Sequence, residues 1–189
     1  MPADANSFAA VILAGGRGTR MGGADKGLVE YQGRPLIEWI LDAIRPQVDE
    51  VLISANRNLE TYAGYGCRVV PDTLPDFPGP LAGVLAAMNS VTAEWLLVVS
   101  CDTPHLPDDL LHRLLDAAQA ENTALAVAAD ATRLHHTTML VKTGLKQDLQ
   151  QYLQSGGRAV RDWQARHGST QAPFDTAHFA NYNRLTDWD

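Results

Sequence analysis

Cysteine is scarce in this chain: Cys67 and Cys101 are the only two among 189 residues. They lack CxxC spacing, which excludes a disulfide framework and a thiolate zinc centre and predicts a reducing compartment. Long apolar runs are missing as well. Stretches such as Trp95–Val99 fall far short of the roughly 18 residues that span a bilayer. Met1–Ser7 has neither the basic nor the apolar region of a secretory leader, so the expected setting is the cytoplasm, without membrane contact. Basic residues are in deficit, 15 Lys and Arg against 22 Asp and Glu, for a net charge of −7. Such a surface repels nucleic acid at long range, and no nucleic-acid partner is expected. A small phosphorylated ligand remains compatible, because backbone N–H groups and a few local cations can hold it.

What is present is ordinary globular material, 46% hydrophobic and 20% charged. The length suits one domain over residues 1–189, with 1–7 expected to be flexible. Ala9–Leu13, Val51–Ser54, Arg68–Val70 and Trp95–Ser100 read as buried strands. Between them lie a helix from Pro35 to about Ile44, a short one at Leu59–Tyr62 and another at Leu81–Val91. Beyond them the pattern predicts a helix over Pro107–Ala120, strands at Leu125–Ala129 and Thr138–Val141, and helices near Gly144–Leu153 and Ala159–His167. Leu28–Tyr31 is expected to be a short strand, and a final extended piece is expected around Phe179–Tyr182. This alternation predicts a mostly parallel sheet covered on both faces, whose ligands bind at the carboxyl ends of the strands.

The unusual residues cluster at those ends. After the first strand, residues 13–26 read LAGGRGTRMGGADK, with five glycines in nine positions and the cations Arg20 and Lys26. Glycines let several N–H groups converge on one concavity, and the cations suit phosphate oxygens. The spacing is neither the GK[ST] of a P-loop nor the dinucleotide GxGxxG, and a plain surface turn is the alternative. After the fourth strand comes Ser100-Cys101-Asp102-Thr103-Pro104. Its carboxylate could hold Mg²⁺, which takes one or two carboxylates plus substrate phosphates, or it could merely cap the turn. Asp72 and the stiff Phe77–Gly83 loop could read a base edge, or could simply start a helix with Pro80 in its first turn and Gly83 for close packing. His135 and His136, adjacent in a strand, should face opposite ways and make a poor metal site.

Taken in order, Leu13-Ala14-Gly15-Gly16, Arg20-Met21-Gly22 and Asp25-Lys26 resemble the signature of nucleotidyltransferases that build activated sugars and cofactors. Within that group, Asp25–Leu28, Asn56-Arg57, Pro78–Gly83, Cys101–Pro104 and Phe179–Asn183 are similar to molybdenum cofactor guanylyltransferases. The resemblance implies a single-domain, Rossmann-like three-layer α/β/α fold of the nucleotide-diphospho-sugar transferase type. It implies transfer of GMP from GTP to the phosphate of molybdopterin, with Mg²⁺ and release of pyrophosphate. The product would pass to a molybdoenzyme or its chaperone.

The same resemblance assigns GTP to Leu13, Ala14, Gly15, Gly16, Lys26, Ser54, Asp72, Gly79, Leu81 and Asp102, within a nucleotide half of about 1–105. Ser54 stands where the family often has Asn. Arg20, Lys26 and Asp102 are the implied catalytic residues, with Asp102 the metal ligand. Arg158, Asn181 and Asn183 are assigned to the acceptor, in a half of about 106–189. Cytidylyl transfer to molybdopterin or a sugar or polyol phosphate is the alternative activity, and a non-catalytic nucleotide-binding adaptor is the alternative class.

Overall fold

A computed structural model describes residues 6–15, 25–72 and 79–179. The described chain runs β1 (Phe8–Leu13), β2 (Glu30–Tyr31), β3 (Arg34–Pro35), α1 (Leu36–Ile44), β4 (Glu50–Ser54), α2 (Leu59–Ala63), β5 (Arg68–Val70) and α3 (Pro80–Met88). It continues through β6 (Trp95–Ser100), α4 (Leu110–Ala120), β7 (Leu125–Ala129), β8 (Leu134–Lys142), α5 (Lys146–Gln154), α6 (Val160–Arg166) and β9 (Thr170–Pro173). Seven strands form one sheet in the order β5-β4-β1-β6-β8-β7-β9, in which β8 alone runs against its neighbours. The small β2–β3 hairpin stands apart.

The β1 sequence shows why the sheet is buried on both sides. Ala9, Ala10, Val11 and Ile12 have no exposed surface, so no polar alternation is needed. Ala10 and Ile12 face one core with Ile53, Leu97 and Val99, covered by α1 and α4. Ala9 and Val11 face a second core with Leu52, Leu96 and Val98, covered by α3, α5 and Trp163. In α1 the 3.6-residue period places Leu36, Ile37, Ile40, Leu41 and Ile44 on the buried face. Each contributes about 2 kcal/mol of transfer free energy. This is the expected three-layer α/β architecture. No helix among the described residues is long and apolar enough to cross a membrane.

Several elements differ from expectation. Residues 26–28 form a 3₁₀ turn, so β2 begins only at Glu30. β8 extends back to Leu134, because a register shift between Val127 and Ala128 carries the pairing past its polar residues. β9 pairs parallel to β7, although its four residues showed no strand pattern. Helix α4 starts at Leu110, three residues late, and Phe179 closes a 3₁₀ turn where an extended piece was expected. The remainder of that piece, 180–182, lies outside the described residues.

The strand order creates the crevice. From β1 the chain moves outward to β4 and β5, then returns through α3 to place β6 on the other side of β1. The carboxyl ends of β4, β1 and β6 therefore open onto a topological switch point, where ligands bind in such sheets.

Candidate functional site

The strand ends are stitched together beyond the sheet proper. Ala14 N–H donates to the Ser54 carbonyl at 2.9 Å, and Cys101 N–H donates to the Leu13 carbonyl at 3.2 Å. The loops after β1, β4 and β6 thus leave the sheet side by side, bringing Gly15, Asn56 and Asp102 to one edge.

Across this edge Lys26 Nζ meets Asp102 Oδ2 at 2.7 Å. The two side chains are 25% and 18% exposed, so the pair is partly buried and still reaches solvent. The Asp102 carboxylate does not close its own turn: Thr103 Oγ1 does so, donating to the Ser100 carbonyl at 3.2 Å. The capping alternative is therefore not what this geometry displays. Next to it, burial and the nearby Asp102 charge push the Cys101 thiol up to about 12. A buried, protonated thiol is a poor nucleophile.

Asp72, just beyond β5, is held by Asn56 through a reciprocal pair. Asn56 Nδ2 donates to Asp72 Oδ2 at 2.8 Å, and Asp72 N–H donates to Asn56 Oδ1 at 2.9 Å. Asn56 also backs Gly15, where an added Cβ would lie 3.4 Å from its Nδ2. Asn56 belongs to one of the motifs that carry the family resemblance, which assigns it no role. Its position two residues past β4, on the same edge as Asp72, was the available signal.

Other expected residues are placed differently. The Ser54 side chain is buried beneath α3, and Leu81 directs its side chain into the second core, leaving its backbone as its means of contact. Pro80 opens α3, as the bland reading of that loop expects. Gly83 is required by packing: a Cβ there would lie 2.3 Å from Ser54 Oγ and 3.1 Å from Leu13 Cδ2. Gly79 differs, since its backbone is extended and an added Cβ would meet nothing within 4 Å among the described residues. Arg158 follows α5 and donates to the carbonyls of Leu153 and Gly157 at 3.1 and 2.7 Å. Gly16, Arg20, Asn181 and Asn183 lie outside the described residues.

The histidines behave as the strand period requires. His135 Nε2 lies 2.9 Å from Asp130, and His136 Nδ1 lies 2.6 Å from Gln164. No group of three or more His, Cys, Asp or Glu residues suited to a metal occurs among the described residues.

The Gly83 geometry carries a stability prediction. Gly83→Ala forces a methyl against Ser54 and Leu13, and overpacking of this kind costs about 1–3 kcal/mol. Thermal denaturation should show a melting point lowered by roughly 3–10 °C for a chain of this size. An unchanged melting point would mean that the α3–β4 contact gives way freely.

Residues 10–170 match the family model of the MobA-like NTP transferase domain. A molybdenum cofactor guanylyltransferase of Shewanella halifaxensis is 47% identical over 165 residues, covering 87% of this chain and 82% of that protein. One of Shewanella putrefaciens is 43% identical over 180 residues, covering 94% and 92%. In fold the chain is similar to molybdopterin-guanine dinucleotide biosynthesis protein A of Archaeoglobus fulgidus, with TM-score 0.76 at 19% identity and coverage of 95% and 94%. It is also similar to Mycobacterium tuberculosis Rv0371c in complex with manganese, with TM-score 0.72 at 19% identity and coverage of 97% and 96%.

Proposed function

The chain belongs to the MobA-like NTP transferase family, and on that premise we propose that it transfers GMP from GTP to the phosphate of molybdopterin. The observation that carries this reading is the Lys26–Asp102 pair at the switch point of the sheet, in a chain whose relatives at 43–47% identity are named guanylyltransferases. An oxygen of the acceptor phosphate attacks the α-phosphorus of GTP. The new P–O bond forms as the bond to the bridging oxygen breaks, and pyrophosphate departs with that electron pair.

Such transfer gives the protein little covalent work, so positioning and electrostatics dominate. Lys26 holds its ammonium where phosphate oxygens can replace Asp102 as its partner. The backbone of residues 13–16 receives the nucleotide, and Arg20 is assigned to the departing pyrophosphate by the resemblance of its motif. Asp72, fixed by Asn56, and the open surface at Gly79 and the backbone of Leu81 suit the guanosine side. Ser54 supports this wall from beneath α3. Residues from about 106 onward, with Arg158, Asn181 and Asn183, are assigned to the acceptor.

The donor chemistry fits Mg²⁺. Asp102 offers a hard carboxylate oxygen on the crevice wall, and one carboxylate with substrate phosphates is a usual set for this ion. The manganese complex of a protein of the same fold supports divalent-metal use, since manganese favours the same oxygen ligands. When bound, the ion would neutralise phosphate charge that an acidic chain cannot meet with Lys26 alone. The reaction is placed in the cytoplasm, with the product passed to a molybdoenzyme or its chaperone.

Cytidylyl transfer shares this fold, as structural neighbours of 13–19% identity named for it illustrate. Base choice separates the two readings. A site that hydrogen-bonds one base edge rejects others strongly, because its own polar groups are otherwise left unpaired. Equilibrium titration should therefore show GTP binding at least tenfold more tightly than CTP, ATP or UTP. Equal affinity for CTP would overturn the guanine assignment.

A further inference from the structure

Lys26 lies immediately after Asp25, and the surroundings of Asp25 are built to hold it still. Tyr62 Oη donates a short hydrogen bond to Asp25 Oδ1, and Asn58 Nδ2 donates to Asp25 Oδ2 at 3.0 Å. Both carboxylate oxygens are therefore tied to the β4–α2 connection and α2, more than thirty residues along the chain. The Tyr62 ring has no exposed surface and packs in the core with Ala14, Ile53, Ala55 and Cys101. Its hydroxyl consequently stands on a rigid post beneath the crevice. Burial and the Asp25 carboxylate push the Tyr62 phenol above its ordinary value, so it remains a donor at any working pH.

A separate observation points the same way. An added Cβ at Gly27 would lie 2.6 Å from Tyr62 Oη, so the backbone just after Lys26 is pressed onto the phenol. Lys26 is thus bracketed by two contacts with one buried side chain, the Asp25 hydrogen bond before it and the Gly27 approach after it. The following 3₁₀ turn, Lys26–Leu28, begins with no side-chain cap of its own. Asn58 adopts a left-handed conformation, φ 50°, while its amide reaches Asp25.

We propose that Tyr62 and Asn58 are positioning residues for the transfer reaction: through Asp25 they fix the backbone from which Lys26 reaches the reacting phosphates. The proposal rests on the role given to Lys26 above. Neither residue needs to touch substrate. A freed Asp25-Lys26-Gly27 segment would let the ammonium sample positions an ångström or so from the productive one, and displacement on that scale is costly where geometry supplies the rate.

The test is a set of steady-state measurements of GMP transfer by the full chain, with Mg²⁺ and saturating acceptor. Tyr62→Phe removes the hydroxyl and keeps the ring. It should lower kcat about tenfold while the KM for GTP stays within about twofold. Asn58→Gly removes the amide and accommodates the left-handed backbone, and should lower kcat about threefold. Melting temperatures confirm folding, and Asn58→Gly alone is used if Tyr62→Phe does not fold. The discriminating readout is the same substitution in a Lys26→Ala background. A residue acting only through Lys26 causes no further loss there, whereas a general packing defect costs the same factor again. Wild-type kcat in the single variant, or an undiminished loss in the Lys26→Ala background, overturns the tether. If Lys26→Ala itself transfers GMP at the wild-type rate, the role of Lys26 fails and the tether fails with it. That outcome is recognisable without either positioning variant.

Discussion

Lys26→Ala should reduce GMP transfer by about a hundredfold or more, the scale seen when one preorganised electrostatic donor is removed from a transition state. The structure gives this expectation a geometric basis. The ammonium lies 2.7 Å from Asp102, at the edge where the ends of β1 and β6 are joined by the Cys101–Leu13 hydrogen bond. An approaching triphosphate supplies several anionic oxygens to replace that single carboxylate, and negative charge on the departing pyrophosphate grows as the bond breaks. A cation there is worth more in the transition state than in the ground state, so kcat should fall further than the affinity for GTP. Stability should change little, because a partly exposed ion pair contributes about 0–1 kcal/mol. Steady-state kinetics with a melting curve checks both parts. A near-normal kcat would reduce the glycine-rich segment to a surface turn.

Asp102→Asn is expected to separate metal binding from turn geometry. Asparagine preserves size and hydrogen-bonding reach and loses only the charge. The Ser100–Thr103 turn is closed by the Thr103 hydroxyl, so it survives the change. Loss of the ion pair should shift the melting point by no more than about 4 °C in a chain of this size. Turnover should fall about a hundredfold at ordinary Mg²⁺. Raising Mg²⁺ should recover part of it, since a neutral amide oxygen is a weaker ligand for a hard cation than a carboxylate. Activity across a Mg²⁺ titration is the measurement. Wild-type activity at ordinary Mg²⁺ would defeat the metal role of Asp102.

The layered fold was legible because its central strands carry continuous apolar runs. Ala9–Ile12 and Leu96–Val99 are wholly buried, and α1 shows its period plainly. β9 was not legible: Thr170–Pro173 buries only Ala172 and ends in proline, so its strand character comes from pairing with β7. The polar start of β8, with His135 and His136, concealed its length for a similar reason.

At the site, the carboxyl-end rule gathered Gly15, Lys26, Asp72 and Asp102 in advance. The supporting contacts Asn56–Asp72 and Tyr62–Asp25 join positions 16 and 37 residues apart, and no local pattern encodes them. Gly83 could be read either as a ligand-contacting or as a packing glycine. Only the seating of Ser54 and Leu13 where a Cβ would project decides for packing.

The guanylyl-transfer assignment is tested most directly by following the label when the purified chain is given molybdopterin, Mg²⁺ and GTP labelled at the α-phosphorus. The expected result is label in a guanine dinucleotide of molybdopterin, with one pyrophosphate released per product and neither formed without acceptor. CTP labelled in the same way should give at most a tenth of that rate. Equal or faster incorporation from CTP, or pyrophosphate release that does not require molybdopterin, would contradict the assignment.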